Sequence, residues 1–276
     1  MSSSSRRPTD LAGFDATAAR YDADEEGNVV LGHMRARAFD QFRQAFPRGS
    51  RLIELGSGTG PEASRLVREL ACRVLLVDPS PHLLERAAAK VRAVEEPGLL
   101  GAHALPARAV GELVPAYGRG SFDGAYSSFG PLNCEPSLVP VARGLAELVR
   151  PGGELVLSII NRWCPAEVAW FALHAELGEA TRRWGGPVDA AAYPGGPKDV
   201  RTWYYSRSEI TAAFSEGFVV EHVEALPLLL PPPYLDFILR RFRATFRMLE
   251  RFEPLAARQP LLRELGDHVL VRLRRR

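Results

Sequence analysis

The residues with the clearest chemistry are three glycines and two carboxylates. An apolar run, Arg51-Leu52-Ile53-Glu54-Leu55, reads as a strand that enters Gly56-Ser57-Gly58-Thr59-Gly60 directly, and helical spacing resumes at Pro61. A strand passing into a helix through glycines gathers backbone N–H groups and the positive end of a helix dipole at one point, with no side chain to hold a ligand off. The next apolar run, Arg73 to Val77, ends in Asp78, whose oxygens can accept hydrogen bonds from ribose hydroxyls. Together they point to an adenosine-type ligand. Structural strand–helix turns also use glycine, so the loop counts only in the company of Asp78.

The spacing discriminates among adenosine ligands. A dinucleotide loop reads G-x-G-x-x-G, whereas here the third glycine comes one residue early. Glu54, just before the loop, would repel a pyrophosphate but suits an ammonium or sulfonium group. A triphosphate loop would need Gly-Lys-Ser/Thr, which does not follow. A nicotinamide-dependent oxidoreductase stays open as the alternative enzyme, and a non-catalytic binding protein at a membrane surface as the alternative without chemistry.

Four motifs then recur in order: Glu54-Leu55-Gly56-Ser57-Gly58-Thr59-Gly60; Val77-Asp78-Pro79-Ser80; Phe122-Asp123-Gly124-Ala125-Tyr126-Ser127-Ser128; and Leu148-Val149-Arg150-Pro151-Gly152-Gly153-Glu154-Leu155. Over about residues 50–160 the chain thereby resembles the class I S-adenosylmethionine-dependent methyltransferases, small-molecule branch. The resemblance implies an α/β fold: a Rossmann-like, doubly wound, seven-stranded sheet with its last strand antiparallel, an N-terminal helical lid and an inserted helical cap. It implies that Gly56, Ser57, Gly58 and Gly60 line the methionine and ribose end of S-adenosylmethionine, with Glu54 near its amino group. Asp78 would hold the ribose, with Pro79 and Ser80 beside the adenine. His103-Ala104 stands where many members carry Asp-Ala, leaving the Ala104 N–H to face the ring. Ser127, Ser128 and Phe129 would floor the site near the reactive methyl, and Tyr21, within Phe14-Asp15-x-x-Ala18-x-x-Tyr21-Asp22, would close over the methionine end.

Methyl transfer from a sulfonium is an in-line displacement that needs alignment and a dry pocket rather than a covalent residue. A phenol, acid or carbon acid would also need a base, for which histidine is the usual type. His33 and His174 are the candidates; His82 reads as a helix-surface residue, and His222 and His268 lie in or beside late strands. For any one of them the competing reading is a solvated or core imidazole. In place of the Asn/Asp-Pro-Pro-aromatic motif of nucleic-acid amino-methylating members stands Phe129-Gly130-Pro131-Leu132-Asn133, so nucleic acid is disfavoured and Asn133 is a candidate acceptor contact. Trp163, Trp170, Phe171, Trp203 and Tyr204 are read as walls of an apolar acceptor pocket or as the private core of an insertion. The expected acceptor is a small hydrophobic or aromatic metabolite, methylated on O or C in preference to N.

The elements that must position these residues follow from periodicity. Strand runs alternate with helical spacings from Arg51 to Ile160, which argues for a parallel sheet covered on both faces. Residues 1–13 read as a disordered tail and 14–276 as one domain: lid helices over 14–48, a cofactor core over 49–160, a cap over 161–206, and C-terminal strands over 207–276 with a basic insertion at 227–266. Within that insertion a basic amphipathic helix is expected from Tyr234 to about Phe252, with peripheral membrane contact through 227–252 as one reading and a solvated face as the other. The 276 residues carry a net charge of +2, which lacks the whole-molecule basic field of a non-specific nucleic-acid binder. Yet eleven arginines face five acids from Tyr234 to Arg276, so the charge is concentrated there. Three scattered cysteines indicate neither a disulfide framework nor a zinc site, and no metal is expected. Without an export signal or an apolar span, the expected setting is the cytoplasm, and a homo-oligomer is allowed.

Overall fold

The computed structural model describes residues 27–94, 97–191 and 198–276. The expected tail, the first lid helix and Tyr21 lie outside these residues. Seven strands form one sheet: β1 (Arg51–Leu55), β2 (Arg73–Asp78), β3 (Leu99–Ala104), β4 (Phe122–Ser127), β5 (Val149–Ile160), β8 (Phe218–Leu226) and β9 (His268–Arg275). A separate hairpin joins β6 (Val188–Ala191) to β7 (Lys198–Thr202). In the large sheet the order is β3-β2-β1-β4-β5-β9-β8, and β9 alone runs antiparallel to both neighbours. This is the Rossmann-like arrangement expected.

Both faces of the sheet are buried, so the central strands are apolar at nearly every position and their alternation divides one core into two. Ile53, Leu55, Leu75, Val77, Leu155, Leu157, Val269 and Val271 face the single turn α4 (Val114–Tyr117), α5 (Val139–Leu148) and α8 (Arg207–Phe214). Leu52, Leu76, Tyr126, Val156 and Leu270 face α1 (Val29–Ala45), α2 (Pro61–Leu70) and α3 (Pro81–Arg92). Local signals start these helices. Asn28 caps α1 by accepting from the Leu31 N–H at 2.9 Å, Ser80 caps α3 from Leu83 at 3.2 Å with Pro81 following, and Ser206 and Glu209 form a capping box on α8.

Asp236 also accepts from the Val29 and Val30 N–H groups at 2.8 and 3.3 Å, which ties the start of α1 to the second insertion. That insertion departs from expectation. The basic helix is broken into α9 (Asp236–Arg241) and α10 (Arg243–Ala256), because Phe242 leaves helical geometry at φ −119°, ψ 61°. Buried Glu253 of α10 accepts from the N–H groups of Leu228, Leu229 and Leu230, anchoring the return of the chain. The cap contributes α6 (Pro165–Leu173), the single turn α7 (Leu177–Ala180) and the β6–β7 hairpin; that hairpin was not foreseen.

In open α/β sheets ligands bind outside the carboxyl ends of the strands, where strand order reverses, here between β1 and β4. Because β9 is antiparallel, it brings its amino end to that rim. His268 pairs with Ile160 at the end of β5 and with Leu226 at the end of β8.

Candidate functional site

The glycine loop crosses the carboxyl end of β1. Gly56 and Ser57 donate their N–H groups to the Val77 carbonyl at 2.7 and 3.3 Å, which holds the loop against β2. The Gly58 N–H donates to Asp78 Oδ2 at 2.9 Å and the Ser80 N–H to Asp78 Oδ1 at 2.9 Å, so the carboxylate orders both loops around it. Gly56 has φ +71°, and a Cβ there would stand 2.0 Å from Pro131 Cβ. Gly58, at φ +51°, differs: a Cβ on it would meet no atom within 4 Å, so the loop opens at this point onto free space. Gly60 packs against Ala87 of α3 and serves the helix junction rather than the opening.

Glu54 is 2% exposed, and its Oε2 has no hydrogen-bond partner among the described residues. Burial raises its carboxyl well above the ordinary carboxylate range; neighbouring Glu62 adds to this, and the Tyr126 hydroxyl opposes it. A buried acid of this kind lacks the cation that would let it ionise. An ammonium group arriving at the loop supplies one. Together with the space beside Gly58, this is the fit expected for an amino-acid-bearing nucleoside.

The other expected cofactor residues divide. Ala104 ends β3 beside Asp78, in register with it. His103 turns away, its Nε2 2.8 Å from the Tyr117 hydroxyl. The Ser80 side chain is used as the cap of α3, Pro79 is half-buried before it, and Ser127 Oγ donates to the Leu55 carbonyl at 2.8 Å, joining β4 to β1. Ser57 Oγ and Ser128 Oγ are buried and unpartnered. Phe129 holds φ +61°, a left-handed conformation uncommon for a bulky residue, immediately after β4; such strain concentrates at functional sites.

Asn133 is fully buried, with its amide spent on backbone: it donates to Ile160 and Trp203 carbonyls at 2.9 and 2.7 Å and accepts from the Ile160 N–H at 2.8 Å. It clamps the cap to β5, with both of its N–H donors engaged. His33 lies on α1 with Nδ1 3.3 Å from Glu250 of α10, and one turn on Arg37 pairs with Glu224 of β8 at 2.6 Å, so this helix face looks toward the β8 edge and not the glycine loop. His174 is exposed and held to the Trp170 carbonyl at 2.8 Å.

The aromatic residues of the cap do not form one pocket. Trp163 lies tilted against Trp184, Trp170 meets His174 and Phe237, and Trp203 is half-buried where its backbone N–H meets the Asn133 carbonyl. Tyr204 lies beneath the Arg183 guanidinium, 5.1 Å from ring centre to Cζ. The reason is that α6 turns a carboxylate inward. Glu167 is 1% exposed and takes Arg182 and Arg183 together with the Tyr234 hydroxyl.

Arg183 continues this network to the rim of the sheet. All five of its N–H donors are used: two to Glu167, one to Asp267 Oδ1 at 2.6 Å, and two to the carbonyls of Asn161 and Asp267. Asp267 Oδ2 accepts from His268 Nδ1 at 3.0 Å. Burial would raise the Asp267 carboxyl, but Arg183 and His268 hold it far below the ordinary value. Asp267, His268, Arg183 and the buried, unpartnered Ser158 Oγ of β5 were not singled out from sequence. Their only signal was an Asp-His pair at the head of a late strand, with no spacing to tie it to the loop more than 200 residues earlier.

Among the described residues no helix is long and apolar enough to cross a membrane, and no cluster of three His, Cys, Asp or Glu could hold a metal. The chain is 31% identical over 158 residues to a ubiquinone biosynthesis O-methyltransferase of Sodalis glossinidius, covering 56% of this chain and 60% of that one. It is 36% identical over 113 residues to a tRNA U34 carboxymethyltransferase of Chromohalobacter salexigens, covering 41% of this chain and 32% of that one. The chain thus spans less than two thirds of the curated relatives it matches. Among solved structures, a Haloferax volcanii chain from a complex containing the Trm112 methyltransferase activator superposes with a TM-score of 0.59 at 15% identity, over 95% of this chain and 96% of that one, a likeness of fold. A family model described as a methyltransferase domain matches residues 30–223, which take in the glycine loop, Asp78 and the ends of β4 and β5, and the chain belongs to that methyltransferase family.

Proposed function

We propose that the chain transfers the methyl group of S-adenosylmethionine to a small hydrophobic or aromatic acceptor, on oxygen or carbon in preference to nitrogen. The observation that carries this reading is the buried carboxyl of Glu54, with its Oε2 left without a partner, behind a glycine loop that opens at Gly58. Glu54 would take the ammonium of the methionine end and Asp78 the ribose hydroxyls, while the loop fixes the sulfonium toward Ser128 and Phe129. Orientation of two reactants in a dry site is worth up to about 7–11 kcal/mol, so no covalent residue is required. The near-neutral net charge and the similarity to an O-methyltransferase favour a small acceptor over nucleic acid.

Calorimetric titration tests this reading and the alternative together. S-adenosylhomocysteine should bind and NAD should not; the reverse order would make the chain a nicotinamide enzyme. In Glu54→Gln, loss of a charge-assisted contact should weaken S-adenosylhomocysteine by about 10- to 100-fold. The same change should raise the melting temperature, because each unit of elevated pKa stands for about 1.4 kcal/mol held against the ionised buried group. Affinity and stability moving in the same direction would argue against the role given to Glu54.

A second proposal concerns partners. On α10, Met248, Phe252 and Leu255 repeat along one face and are 53%, 52% and 67% exposed, unlike the solvated polar face of an ordinary surface helix. Exposed Arg241, Arg247 and Arg251 flank them and have no ion-pair partner among the described residues. The charge matches an anionic lipid surface, to which each arginine would contribute about 1 kcal/mol. Co-sedimentation with phosphatidylcholine vesicles should rise at least about 10-fold when phosphatidylglycerol is included, and fall in Phe252→Glu. Equal sedimentation with both vesicles, or a lipid-independent dimer in light scattering, would overturn it.

A further inference from the structure

Three polar atoms at the rim of the sheet have lost water and gained nothing in exchange. They are Ser128 Oγ just beyond β4, Ser158 Oγ on β5 and His268 Nε2 at the head of β9, all buried and without a hydrogen-bond partner among the described residues. Buried polar groups are ordinarily paired, so a cluster of exceptions marks the place of an absent ligand.

Strand register puts the three on one face. Tyr126 pairs with Val156 and Val156 with Arg272, while Tyr126, Val156 and Leu270 all belong to the core beneath α1. Counting by twos along each strand carries Ser128, Ser158 and His268 to that same face. Ser158 is in register with Leu270, and Ile160 with His268. Glu54, paired with Tyr126, looks out on this face too, so the cofactor carboxyl and the three orphaned atoms share one side of the sheet. Phe129 packs against the core on this face, its ring edge-on to His268 at 6.2 Å between centroids.

His268 is also electronically prepared. An ionised carboxylate only accepts, so Asp267 Oδ2 fixes the proton of the neutral ring on Nδ1 and leaves the Nε2 lone pair free. Asp267 is itself fixed by Arg183, and Arg183 by Glu167, which also receives Arg182 and Tyr234. The Cys164 thiol and the Tyr204 phenol also lie within the field of Asp267 and Arg183. The two carboxylates and the two guanidiniums balance in charge.

We infer that the acceptor binds on the α1 face over the ends of β4 and β5, and that the Asp267–His268 pair is its general base. A base serves an acceptor that loses a proton on methylation, and of these a catechol or phenol is the fitting class, since the Ser128 and Ser158 hydroxyls can hold its oxygens. The inference rests on the methyl-transfer reading above. In the step, the acceptor O–H bond breaks and its proton passes to His268 Nε2. The oxygen lone pair forms the new O–CH3 bond, and the S–CH3 bonding pair stays on sulfur in S-adenosylhomocysteine. Asp267 stabilises the imidazolium so formed. Ser128 and Ser158 hydroxyls orient the acceptor oxygens.

Catechol serves as the probe, with methyl-labelled S-adenosylmethionine as donor. In His268→Gln, Asp267 keeps Arg183, so the fold and S-adenosylhomocysteine affinity measured by calorimetry should be retained. Wild-type methylation of catechol should rise with pH through a single ionisation, and the variant should lose about 10²- to 10⁴-fold in kcat together with that ionisation. In histidine-labelled protein saturated with S-adenosylhomocysteine, catechol should shift the His268 ring resonances. Equal rates and equal pH profiles in the two proteins would overturn the base. Binding of S-adenosylhomocysteine without binding or methylation of catechol would overturn the acceptor class. Failure of the wild type to bind S-adenosylhomocysteine would instead defeat the cofactor reading, leaving the two failures distinct.

Discussion

Asp78→Ala will weaken S-adenosylhomocysteine by about 10²- to 10⁴-fold. Each hydrogen bond to a charged group is worth about 1.5–3 kcal/mol, and the proposed contact to a pair of ribose hydroxyls comprises two. The variant also removes the acceptor for the Gly58 and Ser80 N–H groups, each bonded at 2.9 Å, so the loop loses the shape that receives the nucleoside. Asp78→Asn, which retains one oxygen acceptor, should fall between wild type and alanine. Titration calorimetry reads the affinities, and far-ultraviolet circular dichroism checks that the sheet survives. An alanine variant that binds within a factor of about three of wild type would remove Asp78 from the ribose contact.

Arg183→Met is expected to cost about 3–5 kcal/mol of stability, because breaking a buried pair leaves charge without compensation. The side chain is 5% exposed and spends every donor on Glu167, Asp267 and two carbonyls. At about 2–4 °C per kcal/mol for a chain of this size, the melting temperature should drop by roughly 10 °C. Arg183→Lys keeps the charge but cannot match the fork, so it should recover only part of the loss. The pH dependence provides a second reading. The folded-state carboxyls of Asp267 and Glu167 are both depressed, despite burial, by Arg183 with His268 and by Arg183 with Arg182 respectively. Their contribution is therefore present above the ordinary carboxylate range, about pH 4, and is lost as pH falls below it. The methionine variant should show a shallower acid limb. Identical acid limbs would mean that these carboxyls are not held by Arg183.

The parts of this molecule legible in the sequence are those whose chemistry is written in consecutive residues. Glu54 through Gly60 form one strand–loop–helix unit, and Asp78 follows one element later, so short-range spacing carried both the fold and the cofactor end. The acceptor end is built from residues far apart in the chain. Ser128, Ser158 and His268 meet only because β4, β5 and β9 are aligned, and no periodic pattern announces a lone serine or histidine. For the same reason the sequence does not rank His33, His174 and His268 as bases: the partners that bear on each, Glu250, the Trp170 carbonyl and Asp267, are set by packing. Asn133 was misread because nothing in Gly130-Pro131-Leu132-Asn133 reveals that its amide closes onto Ile160 and Trp203. The aromatic cap was misread because its organising residue is the inward-facing Glu167, hidden in an otherwise apolar helix.

The reversed direction of β9 has a bearing on how this chain can diversify. Residues 227–266 leave the sheet at the end of β8 and return just before Asp267 and β9, and the two strand ends are partners, Leu226 opposite His268. A stretch anchored at neighbouring points about 5 Å apart behaves as a cassette: it can be lengthened, shortened or exchanged without altering the spacing of any strand. Glu54, the glycine loop and Asp78 sit across the sheet and are untouched by such an exchange. The histidine stays with the strand while the roof above it changes, so new acceptors become accessible by grafting, with the cofactor half inherited intact.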